Sequence, residues 1–122
     1  MMMMRLKGQS ILVVEHEPSV AQELENEFTQ AGAKVFAAAR LRDALYLAEY
    51  PALSAAVVNV RMGGAGESTA AVCRRLRYLG VPFMFYTKFD PTEFAAAWPK
   101  APVLTKQSGS AKVAETIADM LH

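Results

Sequence analysis

Cysteine occurs once in these 122 residues, at Cys73. One thiol excludes an intramolecular disulfide and a cysteine-based metal cluster. It fits a reducing compartment, so a cytoplasmic location is expected. No apolar run approaches the ~20 residues of a membrane-spanning helix, so no membrane role is expected. An excess of one charge is also missing. Thirteen Lys and Arg against twelve Asp and Glu leave a formal charge of +1, which gives no whole-domain field for nucleic acid or an acidic membrane. The run Met1 to Met4, followed by Arg5-Leu6-Lys7, lacks a long apolar segment and a small-residue cleavage site, so it is not expected to act as a signal peptide. Residues 1–9 read as a frayed tail or a misplaced start, and residues 10–122 as one domain.

What is present is an ordinary globular composition, 52% hydrophobic and 20% charged, in a chain long enough to bury a core. Short apolar runs alternate with helical patterns. Ile11 to Val14 is continuous and β-branched, as a buried strand should be. A helix follows from about Pro18 to Ala31, with Val20, Leu24, Phe28 and Ala31 on one face and Gly32 at its end. Its start has two readings: Pro18 in the first turn, or a capping box of Ser19 with Gln22. Lys34 to Ala37 reads as a strand, Leu41 to Glu49 as a helix, and Ala55 to Asn59 as a third strand. Gly63 to Gly66 reads as a flexible loop, Glu67 to Leu79 as a helix stopped by Gly80, and Phe83 to Thr87 as a strand. Between Asp90 and Pro99 only a short helix fits, about Pro91 to Trp98. Val103 and Leu104 make a brief fifth strand, and Ser110 is the expected cap of a last helix burying Val113, Ile117 and Leu121.

Strands alternating with helices imply an α/β three-layer sandwich with a parallel sheet covered on both faces. Right-handed crossovers leave few topologies, and the flavodoxin-like doubly wound order 2-1-3-4-5 leads among them. In such sheets the functional crevice lies at the carboxyl ends of the strands. Glu15 and His16, Asn59, Thr87 and Lys106 all fall at such ends.

Those corners, taken as a set from Ser10 to Leu121, resemble the bacterial response-regulator receiver domain, of the chemotaxis-receiver type. The resemblance implies two acids after strand one and an acceptor aspartate that together hold Mg²⁺. It also implies a Thr or Ser after strand four and a Lys after strand five that contact the phosphoryl group. Glu15, Thr87 and Lys106 match those positions. His16 replaces the second acid, Asn59 the acceptor, Gln107 the usual proline, and Val103 the aromatic that rotates on activation. Pro82-Phe83-Met84-Phe85-Tyr86-Thr87 and the short fourth helix resemble one group of single-domain receivers, from which Lys88 departs.

A carboxamide cannot form an acyl phosphate, so Asn59 marks a degenerate acceptor. Its plain alternatives are a polar strand-end residue or an engineered replacement of aspartate. Glu15 against Lys106, with Asn59 and a neutral His16 uncharged, makes a self-neutralising pocket. Mg²⁺ usually needs one or two carboxylates, so weak or absent binding is expected, with Lys106 paired to Glu15 or hydrogen-bonded to Asn59. A surface histidine is the simplest reading of His16.

Arg74, Arg75, Arg77 and Tyr78 form a basic stretch, expected to be a solvated face balanced by Glu23, Glu25 and Glu27 on the first helix rather than a nucleic-acid surface. Phe89, Phe94 and Trp98 are either core caps or exposed interface anchors. Cys73 reads as a small buried residue. Gly63 to Gly66 lacks the Lys-Ser/Thr of a P-loop, and no nucleophile elbow, dinucleotide fingerprint or metal cluster occurs. The expectation is therefore a non-enzymatic, stand-alone pseudo-receiver. Its partners would be a histidine kinase, phosphotransferase, output protein or second copy. The alternatives are a pocket repurposed for a small anion or metabolite, and a conventional phosphotransfer regulator with its acceptor replaced.

Overall fold

Strands form where the sequence is continuously apolar. In a computed structural model that describes residues 4–62, 67–88 and 92–122, five of them make one parallel sheet: β1 (Ser10–Val14), β2 (Lys34–Ala38), β3 (Ala55–Val58), β6 (Phe83–Thr87) and β7 (Val103–Thr105). Their order is β2-β1-β3-β6-β7, which is 2-1-3-4-5 when these five are counted alone. The central strands β1, β3 and β6 are buried along their whole length. That explains why they show no apolar–polar alternation.

Alternate side chains of these strands feed two cores. Leu12, Val14, Ala56, Val58 and Phe85 pack beneath α2 (Leu41–Leu47) and α3 (Ala70–Tyr78), against Ala44, Val72 and Leu76. Ile11, Val13, Val57, Met84 and Tyr86 pack beneath α1 (Pro18–Gln30) and α5 (Ser110–Leu121), against Leu24, Phe28, Val113 and Ile117. Gly32 follows α1 with φ of +96°, in the left-handed region that glycine tolerates.

Several expectations are corrected. The segment before β1 is not frayed from Met4 onward. Leu6 is fully buried in the α1–α5 core, and its N–H donates to the carbonyl of Ala31 at 2.8 Å. Pro18 does open α1 behind an N-cap at Glu17, and no side-chain cap forms, so Ser19 and Gln22 make no capping box. The third helix does not begin at Glu67. Glu67–Ser68 (β5) pairs antiparallel with Arg61–Met62 (β4), and α3 starts only at Ala70. Leu121, expected to be buried by the last helix, is only partly buried. Ser110 is the first residue of α5, behind Gly109, and caps nothing with its hydroxyl. The fourth helix, α4 (Thr92–Ala95), is a single turn, shorter than Pro91 to Trp98. The expected glycine loop 63–66, Phe89 and Pro91 lie outside the described residues.

The two described aromatic candidates, Phe94 in α4 and Trp98 after it, turn inward. Trp98 is buried and packs edge-on to Phe83 at 5.8 Å, while Phe94 meets Phe85 edge-on at 5.4 Å. Neither is an exposed anchor, because each fills space beside β6. The arginines of α3 are not balanced by α1, which lies across the sheet; Arg75 instead pairs with Glu49, just after α2. Cys73 is buried, and burial pushes its thiol up to about 12.

Leu6 is the residue that ties the first segment to the core. Leu6→Ala is expected to lower stability by about 2–5 kcal/mol in a urea melt. An unchanged midpoint would show that the segment is as loose as its sequence suggests.

Candidate functional site

Glu15 and Asn59 are held in place by continuing the ladder one residue past their strands. The Glu15 N–H donates to the Ala38 carbonyl at 3.1 Å, and the Asn59 N–H to the Val14 carbonyl at 3.0 Å. Both side chains therefore emerge at the carboxyl edge of the sheet, beside each other. Thr87 ends β6 and is buried; Lys106 follows β7 directly and opens a single 3-10 turn, Lys106–Ser108.

The buried Glu15 carboxylate is the hub. Its Oε1 accepts a charge-assisted hydrogen bond from Lys106 Nζ at 2.9 Å. The Asn59 amide spans both carboxylate oxygens, at 3.4 and 3.3 Å. The Glu17 N–H donates to Oε2 at 3.2 Å. The Lys106 ammonium also lies 5.2 Å from the centre of the Tyr86 ring, and its side chain is only 14% exposed. Of the two pairings open to Lys106 in the sequence, Glu15 is the one that forms.

His16 stands apart from this network. Its Nδ1 is buried but 3.7 Å from Glu15 Oε2, too far for a hydrogen bond, and the ring is partly exposed. It contributes charge to the pocket only when protonated. Val103 lies exposed on the edge strand, so the position of the expected switch aromatic holds a small side chain open to solvent.

Three contributors were not singled out in the sequence. Thr69 is fully buried, and its hydroxyl donates to the backbone carbonyls of Asn59, at 2.7 Å, and Val60, at 3.0 Å. It ties the start of α3 to the strand end that carries the site. A threonine just before a helical pattern is a usable sign of this, although its hydroxyl here serves carbonyls instead of capping N–H groups. Glu17 and Lys88 form the other pair, at the rim. Lys88 holds the Glu17 carboxyl below its ordinary 4.5 and is itself raised above 10.5 by Glu17. The Glu17 contribution is thus present above pH 4.5 and fades as pH falls through the lowered value. The Lys88 contribution is present below pH 10.5 and fades as pH rises through the raised one. The pair is exposed enough to be worth little.

No protein-family model matches this chain, and no curated protein sequence matches it. Solved structures do match. A response regulator receiver protein from Sinorhizobium medicae superposes with a TM-score of 0.81 at 20% identity, covering 96% of this chain and 99% of its own. The receiver domain of the PhyR response regulator from Erythrobacter litoralis gives 0.79 at 20%, covering 94% and 91%. The receiver domain of Francisella response regulator 1452 gives 0.78 at 19%, covering 93% and 96%. The chain has the receiver-domain fold. At these identities the likeness concerns the fold, and the chemistry must be read from the side chains.

The receiver fold implies a magnesium site at this corner, and the residues here do not fit one. A hard divalent ion needs several free oxygen ligands, usually including one or two carboxylates. The Glu15 carboxylate is already matched by an ammonium and an amide, Glu17 faces Lys88, and the other two family positions carry Asn59 and His16. Among the described residues no three His, Cys, Asp or Glu side chains are grouped to hold a metal.

The Glu15–Lys106 pair can be weighed by a double-mutant cycle. Lys106→Met leaves a buried carboxylate without its cation and should cost on the order of 3 kcal/mol. Glu15→Gln combined with Lys106→Met should cost clearly less than that single change, as read by denaturant unfolding. Additive losses would mean that the two groups do not interact.

Proposed function

We propose that this chain is a pseudo-receiver: a protein-interaction module of two-component signalling that works without phosphoryl transfer at position 59. The observation that carries the reading is the closed charge balance around Glu15. An acceptor aspartate would crowd a second carboxylate against Glu15 and create a demand for a cation. Asn59 instead donates to Glu15, and Lys106 supplies the one positive charge needed. Lys106 is thereby committed to the protein, which also argues against a pocket rebuilt for a small anion.

The same features argue against a switch. Conventional receivers exchange between two conformations, and modification biases the exchange. Here the charge that would bias it has no acceptor, and Val103 offers no aromatic ring to rotate. The module would present one conformation to a histidine kinase, a phosphotransferase, an output protein or another copy, with abundance or competition setting its effect. Among the described residues no helix is long and apolar enough to cross a membrane. The module would act by binding and not as an enzyme.

Acetyl phosphate with Mg²⁺, read by intact mass, tests this reading. The natural chain is expected to show no phosphate adduct, and neither is Asn59→Asp, because His16 still occupies the second acidic position. An adduct on the natural chain would contradict the reading. An adduct confined to the variant would narrow the lesion to Asn59 alone.

A further inference from the structure

At the end of the sheet opposite Glu15, the strands begin and α2 and α3 finish. A groove of about 650 Å³ opens there, between the end of α3 and the Trp98–Ala101 stretch, floored by Val81, Phe83 and Trp98. Arg77 and Lys100 line it. The Arg77 guanidinium lies over the Trp98 ring at 4.5 Å. A cation held over a ring keeps its charge and its N–H donors. Arg74 stands one turn back on the same helix and is exposed. Among the described residues none of Arg74, Arg77 and Lys100 has a carboxylate partner, whereas Arg75 is matched by Glu49. Beside the groove, Tyr78 is 78% exposed and Leu79 is 40% exposed.

We infer that this end is a docking groove for a protein segment that carries an apolar anchor between acidic residues. An apolar floor rimmed by uncompensated bases is complementary to that chemistry. Tyr, Trp and Arg are also the side chains that contribute most at interface centres. A nucleic acid fits less well. Its binding rests on neutralising many phosphates along a strand, and only three bases gather here, around an apolar hollow. A second copy fits poorly on its own equivalent face, because the same bases would meet. The groove is remote from the pocket, so this inference stands or falls separately from the reading of Asn59.

Random peptides displayed on phage, selected against the full chain, test it. Enriched sequences should share an apolar residue flanked by Asp or Glu. As synthetic peptides they should shift the emission of Trp98, the single tryptophan of the chain. Lys100→Glu, at the lip and away from the core, should weaken binding about tenfold, the loss of one charge-assisted contact, with an unchanged thermal melt. Arg77→Glu should do the same, and Lys100→Glu keeps the test sound if Arg77→Glu unfolds. Selected peptides without acids, or indifferent to both charge reversals, would overturn the proposal. So would an oligodeoxythymidine of equal charge that shifts Trp98 as strongly, since it would make the face a nucleic-acid surface.

Discussion

The contact on which the pocket depends is the ion pair between Glu15 and Lys106. A carboxylate this deeply buried is costly unless a cation and hydrogen-bond donors surround it. Lys106 provides the cation, and Asn59 and the Glu17 backbone provide the donors. Because these partners come from the ends of β1, β3 and β7, the pair also fixes how those ends sit together. An aspartate at position 59 could not take the same place without either a proton or a metal ion between it and Glu15.

That constraint links fold to function. The sheet has the receiver fold, and at its carboxyl edge the Glu15 carboxylate is met by Lys106 and Asn59. Here the balance is closed within the chain. Thr69 strengthens it from behind by joining α3 to the backbone of Asn59 and Val60. Interaction is then left to surfaces, among them the groove around Trp98, where Arg77 and Lys100 have no carboxylate partner among the described residues.

Much of this was legible in the sequence because the central strands are buried on both faces. Short, continuous apolar runs such as β1, β3 and β6 fit a buried strand far better than a surface helix, and their order follows from crossover handedness. The positions of Glu15, Asn59 and Lys106 came with them, since each ends or follows a strand. What was not legible depended on contacts between distant segments. Leu6 follows a methionine run and reads as tail, but it fills the space between α1 and α5. Glu67 and Ser68 fit a helical period, yet they pair with Arg61 and Met62. Trp98 could have faced either way, and only the neighbouring ring of Phe83 and the guanidinium of Arg77 show that it is covered. The partner of Arg75 was misassigned to α1 because sequence does not tell which helices share a face of the sheet.

The most direct test of the closed charge balance is a magnesium titration followed by backbone amide NMR at Glu15, Asn59 and Lys106. The account predicts no saturable shift through the low-millimolar range, beyond the general effect of ionic strength. A saturable response at these three residues with micromolar affinity would contradict it, because the Glu15 carboxylate would then be available to a metal and the pocket would not be neutral by itself.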